Sequence, residues 1–195
     1  MSIKNSTTAC SGIDWNSLLG LLQRLKKDGK HREYLLIGTG CYLGLRASDL
    51  LNLKWEDVID KKELTLFEVK TGKKRKLIIN DNLSLIFKSV YSQLITKNES
   101  LLGKYIFMNR NGNKLSIQYV NRILHDVFRD YNIKVQNGST HTLRKTFGKR
   151  VWEMDGKSER SLIYLSQIFN HSNSQVTRRY IGIIQEDINQ IYLDL

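Results

Sequence analysis

From its amino end the chain alternates apolar and polar positions with two different periods. Residues 15 to 28, WNSLLGLLQRLKKD, and 31 to 43, HREYLLIGTGCYL, carry apolar residues at the three-to-four spacing of a helix face. ASDLLNLKW, 47 to 55, predicts a further short helix. The period then changes: DVID, ELTLFEV and RKLIIN read as three strands joined by the polar turns KK and KTGKK. Helical spacing returns in DNLSLIFKSVYSQLI, pauses at NRNGNKL, and resumes in SIQYVNRILHDVFRDY, in 141 to 154 and in SERSLIYLSQIF. A capping box, Ser172 with Gln175 three residues on, predicts a last short helix with Tyr180 near its end. The fold class expected is mainly α (α+β): helices around one small three-stranded antiparallel sheet.

At 195 residues the chain suits one domain with a real core. There is no proline, low-complexity linker or repeat to mark an internal boundary. The expected organisation is a polar segment over 1–12, a body over 13–180, and a tail over 181–195 that is apolar and acidic, with three acids and no cation. Charge narrows the partner. Lys and Arg number 31 against 19 Asp and Glu, a net charge of +12 that points to a polyanion, with nucleic acid first and a membrane surface second. The cations cluster: 61 to 80 holds seven against two acids, and 141 to 180 holds eight against three. No long apolar run and no charged-then-apolar leader occurs, so no membrane partner is expected and the expected location is cytoplasmic, on the nucleoid in a prokaryote. Cys10 and Cys41 are isolated and read as reduced thiols, so Asn-x-Ser/Thr at Asn5, Asn98 and Asn137 carries little weight.

Taken singly, the chemical motifs are ordinary. Arg46 leads a helix with Asp49 three residues on, which alone reads as a helix salt bridge. His141 and Arg144 sit one turn apart, and His171 precedes Tyr180 by nine residues. As an ordered set, GLRASDLLNLKW, VKTGKKRK, HTLRKTF and FNHSNSQVTRRY resemble the tyrosine recombinase, or phage integrase, family from about residue 33 onward. The resemblance implies a helical catalytic domain in which Arg46 and Arg144 hold the scissile phosphate and Tyr180 is the nucleophile. It further implies that His171 donates to a phosphate oxygen, that His141 takes the tyrosine proton, and that the hairpin lysine protonates the departing 5′ oxygen. That lysine is Lys70, with Lys73 in reserve, and Asp49 orients the site. The partner implied is double-stranded DNA, with four protomers in synapsis, contacted also by Lys73, Lys74, Arg75, Lys76, Lys145, Lys149, Arg178 and Arg179.

The residue types suit that chemistry. Two guanidiniums offer paired donors and permanent charge to a phosphodiester whose non-bridging oxygens gain charge in transfer. A phenol of ordinary pKa about 10 needs its proton drawn off, and a 5′ alkoxide leaves poorly without an acid. No metal and no cofactor is expected: there is no carboxylate cluster, His31, His125, His141 and His171 lack zinc spacing, and the bond energy is kept in the phosphotyrosine. GTGCYLG has the wrong spacing for a nucleotide loop and reads as close helix packing.

The chain departs from the family pattern in three places. Lys145 stands where a second histidine is frequent, Asn170 replaces the glycine before His171, and no separate amino-terminal DNA-binding domain fits in the length. The third departure implies an excised catalytic domain or a minimal recombinase, binding weakly and with steep salt dependence. The competing readings are a type IB topoisomerase and a noncatalytic DNA-binding module.

Overall fold

The computed structural model describes residues 10–95, 100–182 and 192–193. Among these residues eight helices and a hairpin follow in the order α1 (Trp15–Lys27), α2 (His31–Leu43), α3 (Ala47–Leu50), β1 (Glu63–Phe67), β2 (Lys74–Ile78), α4 (Asp81–Leu94), α5 (Ile117–Asp130), α6 (Thr140–Met154), α7 (Glu159–Phe169) and α8 (Ser174–Ile181). The start signals are local. Asp14, Asn80, Ser116 and Ser158 each accept a backbone N–H from the first turn of the helix they precede.

The sheet has two strands, not three. Glu63 faces Ile78 and Phe67 faces Lys74 in an antiparallel register. DVID contributes nothing to it: Asp57 closes a 3-10 turn (Trp55–Asp57) by accepting from the Lys54 N–H, Ile59 N–H returns to the Trp55 carbonyl, and Asp60 has a φ of 54°. Its apolar pair was misleading because Val58 is buried by a turn rather than by strand pairing. The predicted helix over 47–55 also stops early. Beyond Leu51 the backbone leaves the helix to bond a distant loop, with Trp55 N–H on the Lys104 carbonyl and Ile106 N–H on the Leu53 carbonyl. The last helix starts one residue late: Asn173, not Ser172, is its cap, accepting from Val176 N–H at 2.9 Å.

Two cores result. The larger gathers α1, α2, α4, α5 and Leu143 of α6 around Trp55, Phe87 and Phe107. The smaller joins Trp152, Leu162, Leu165, Phe169 and Ile181. Helix α2 packs on α1, α4 and α6, and GTGCYLG makes that possible, since a Cβ on Gly38 or Gly40 would come within 2.7 Å of Ile86 or 2.6 Å of Leu143. Helix α6 borders both cores, and its exposed end of the seam holds the site. Of the tail, Ile181 is in the smaller core and Tyr192 and Leu193 are exposed; Ile183, Ile184, Ile188 and Ile191 lie outside the described residues. Among the described residues no helix is long and apolar enough to cross a membrane.

Candidate active site

The seam is built around one carbonyl. Phe169 ends α7, where helix carbonyls lack intrahelical donors and the dipole favours cations. Its oxygen accepts from Arg46 Nη2 at 2.9 Å and from Arg144 Nη2 at 3.0 Å. Arg144 is 4% exposed, lies 4.1 Å over the Phe169 ring, and donates through Nη1 to the Gly44 carbonyl at 2.6 Å. Removal from water, above all, lowers its pKa to about 10, so it stays charged at neutral pH. Gly44 ends α2 in the left-handed region at φ 58°, where a Cβ would lie 2.5 Å from Phe147. That turn delivers Arg46, extended, to the start of α3.

Asp49 does not pair with Arg46 as a helix salt bridge. It is buried, and its Oδ1 accepts the Val69 N–H at 2.8 Å, tying α3 to the hairpin turn. Arg46 pairs instead with Glu68, Nη1 to Oε2 at 2.9 Å. The turn itself closes through Thr71 and Gly72 N–H groups on the Glu68 carbonyl, with Gly72 at φ 66°. Lys70 is exposed on it and faces the pocket.

His141 lies in the first turn of α6, and its Nδ1 is 3.4 Å from Tyr180 Oη. The Tyr180 ring meets Phe169 and His171 edge-on, at centroid distances of 5.6 and 5.2 Å. His171 Nδ1 is 2.9 Å from Thr177 Oγ1. Asn170 takes the left-handed conformation at φ 53°, the geometry asparagine tolerates in place of glycine, and so turns the chain from α7 toward α8. Burial pushes Tyr180 up to about 12, opposed chiefly by Arg144. Both histidines are held below their usual range, His141 by removal from water and then by Arg144 and Lys145, His171 by removal from water and then by Arg144 and Arg46. A cavity of about 360 Å³ is lined by Arg46, Lys70, His141, Arg144, His171 and Tyr180, all six residues nominated from the sequence.

The remaining cations divide. Lys73, Lys74, Lys76 and Arg179 are exposed, Lys76 pairing with Glu63, and Lys149 is half-buried on α6. Arg75 turns inward onto Glu68 at 3.0 Å, Arg178 pairs with Glu159, and Lys145 donates to the Cys10 carbonyl at 2.6 Å while sitting 5.3 Å from the Tyr180 ring centre. Glu68 was missed as a candidate. A signal existed: with Leu64 and Leu66 it occupies the inward row of ELTLFEV, where a carboxylate needs a reason to be.

Residues 13–186 match the model of the phage integrase family. The chain belongs to that family. Among phage integrase relatives, it is 33% identical over 162 residues to "Probable integrase/recombinase YoeC" of Bacillus subtilis (strain 168), covering 83% of each chain. The crystal structure of XerA recombinase has the same fold, with a TM-score of 0.70 and 19% identity over all of this chain and 66% of that one. XerH site-specific recombinase bound to its difH substrate matches with a TM-score of 0.67 and 16% identity over 98% of this chain. The chain spans 55% of that recombinase's length.

Proposed function

We propose that this phage integrase relative is a site-specific DNA recombinase/integrase that cleaves and rejoins strands through a covalent 3′-phosphotyrosine. The observation that carries the reading is the meeting of two arginines, a lysine, two histidines and a tyrosine, drawn from four separate stretches of chain, in one cavity of about 360 Å³. The DNA-bound XerH structure supports a double-stranded DNA partner.

In the proposed step Tyr180 Oη attacks phosphorus, the tyrosyl O–P bond forms, and the P–O5′ bond breaks. The phenolic proton passes to His141, whose lowered pKa keeps it neutral and able to accept. Lys70 gives a proton to the departing 5′ oxygen. Arg46 and Arg144 meet the non-bridging oxygens, where preorganised donors act most strongly in the transition state. In the tautomer whose Nδ1 accepts the Thr177 hydroxyl, 2.9 Å away, the Nε2–H of His171 is left to donate to the phosphate. The new bond keeps the phosphodiester energy for rejoining, so no cofactor enters. Exchange between two duplexes requires four cleavages, and therefore four protomers on DNA. Lys73, Lys74 and Arg179 serve as backbone-phosphate contacts.

The test uses a pool of nicked suicide duplexes randomised around the nick, with covalently captured members recovered by phenol partition and sequenced. The expected result is one recurring sequence, captured by the natural protein and lost in Tyr180→Phe. Capture without sequence preference, accompanied by relaxation of any supercoiled plasmid, would replace the reading by a topoisomerase; binding with no capture would leave a noncatalytic module.

A further inference from the structure

Glu68 is a buried acid that the reaction just described does not use. It is 2% exposed, and every oxygen of its side chain is engaged. Oε1 meets Arg75 Nη1 at 3.0 Å; Oε2 meets Arg46 Nη1 at 2.9 Å and accepts from Thr71 Oγ1 at 2.7 Å. Its own carbonyl accepts the Thr71 and Gly72 N–H groups, and its N–H donates to the Lys73 carbonyl. One residue therefore grips the phosphate-facing guanidinium with its side chain and folds the turn carrying Lys70 with its backbone.

Burying a carboxylate is costly unless charge and hydrogen bonds compensate, and here two guanidiniums and a hydroxyl do so. Arg46 is pinned at two corners, by the ion pair with Glu68 at Nη1, an atom closed off from solvent, and by the Phe169 carbonyl on Nη2. We infer that Glu68 is a positioning residue: it links Arg46 to the Lys70 turn, so that the group holding the phosphate and the group protonating the leaving oxygen sit at a fixed separation. Glu68 touches no reacting atom. It acts through the geometry of the other two, and its loss reduces turnover rather than affinity, because a misplacement of about 1 Å costs on the order of 100-fold in rate.

The inference rests on the strand-transfer reading, and the test separates the two. The probe is the duplex captured above, in its natural form and with sulfur in place of the bridging 5′ oxygen, a leaving group that departs without a proton donor. Glu68→Gln is expected to slow single-turnover cleavage of the oxygen duplex by roughly 10- to 100-fold with its dissociation constant within about threefold of the natural protein's. On the sulfur duplex the deficit shrinks to a few-fold, whereas the deficit of Arg46→Lys persists. Thr71→Val, which deletes the hydroxyl bond to Oε2 and the longer 3.3 Å contact from the Lys73 N–H, provides the same comparison if Glu68→Gln melts below the assay temperature. Unchanged cleavage in both variants, or equal slowing on oxygen and sulfur, overturns the inference while leaving strand transfer intact. Absence of any Tyr180-dependent adduct with the natural protein overturns both.

Discussion

Tyr180 and His141 form the pair on which the proposed chemistry turns, 3.4 Å apart and each moved away from its ordinary ionisation. Burial raises the tyrosine to about 12, so at pH 7 only about one molecule in 10⁵ carries a tyrosinate. Removal from water and the charges of Arg144 and Lys145 lower the histidine, which favours its neutral, proton-accepting form. The sign follows: His141 stays neutral down to below about pH 6.5, so single-turnover cleavage should be level above pH 7 and decline only beneath that value. His141→Gln should be slower and lose the decline. A rate rising about tenfold per pH unit from 7 to 9 would contradict this, because it would mean that the tyrosine ionises to solvent. At this scale the six pocket residues were legible, since their types and spacings carry the family pattern. The partners of the other cations were not. Arg75, Lys145 and Arg178 are positive in the sequence, but the folded chain turns each onto a protein group, and charge alone has no direction.

Among the elements, the turn leaving α2 does most to aim the site. Gly44 supplies a left-handed backbone, room for Phe147 and a carbonyl for Arg144. Gly44→Ala should lose about 1–2 kcal/mol from backbone conformation and about 1–3 kcal/mol from overpacking, read by chemical denaturation. A loss below about 0.5 kcal/mol would show that the turn does not need glycine. The helices were legible because their caps and apolar spacing are local. The long reading of α3 failed because residues 53 to 56 hydrogen-bond to 102 to 106, a pairing between distant positions that local periodicity does not encode, and the third strand failed because Asp57 and Ile59 bond back onto residues 54 and 55 in a turn.

For the molecule as a whole, the arrangement is two apolar cores with α6 along their seam. The exposed end of that seam is where the ends of α2, α7 and α8 and the hairpin turn come together. The positive charge and the mainly helical class were readable from composition and pattern. The division into two cores was not, because nothing in the apolar spacing says which helices share a core. In the proposed reaction this seam assembles a nucleophile at Tyr180. The most direct measurement digests the captured protein–DNA adduct with nuclease and protease and locates the residual nucleotide by mass spectrometry. A nucleotide joined through its 3′-phosphate to Tyr180, and not to Tyr192 in the same carboxy-terminal peptide, is expected; a nucleotide on any other residue would rule out Tyr180 as the nucleophile.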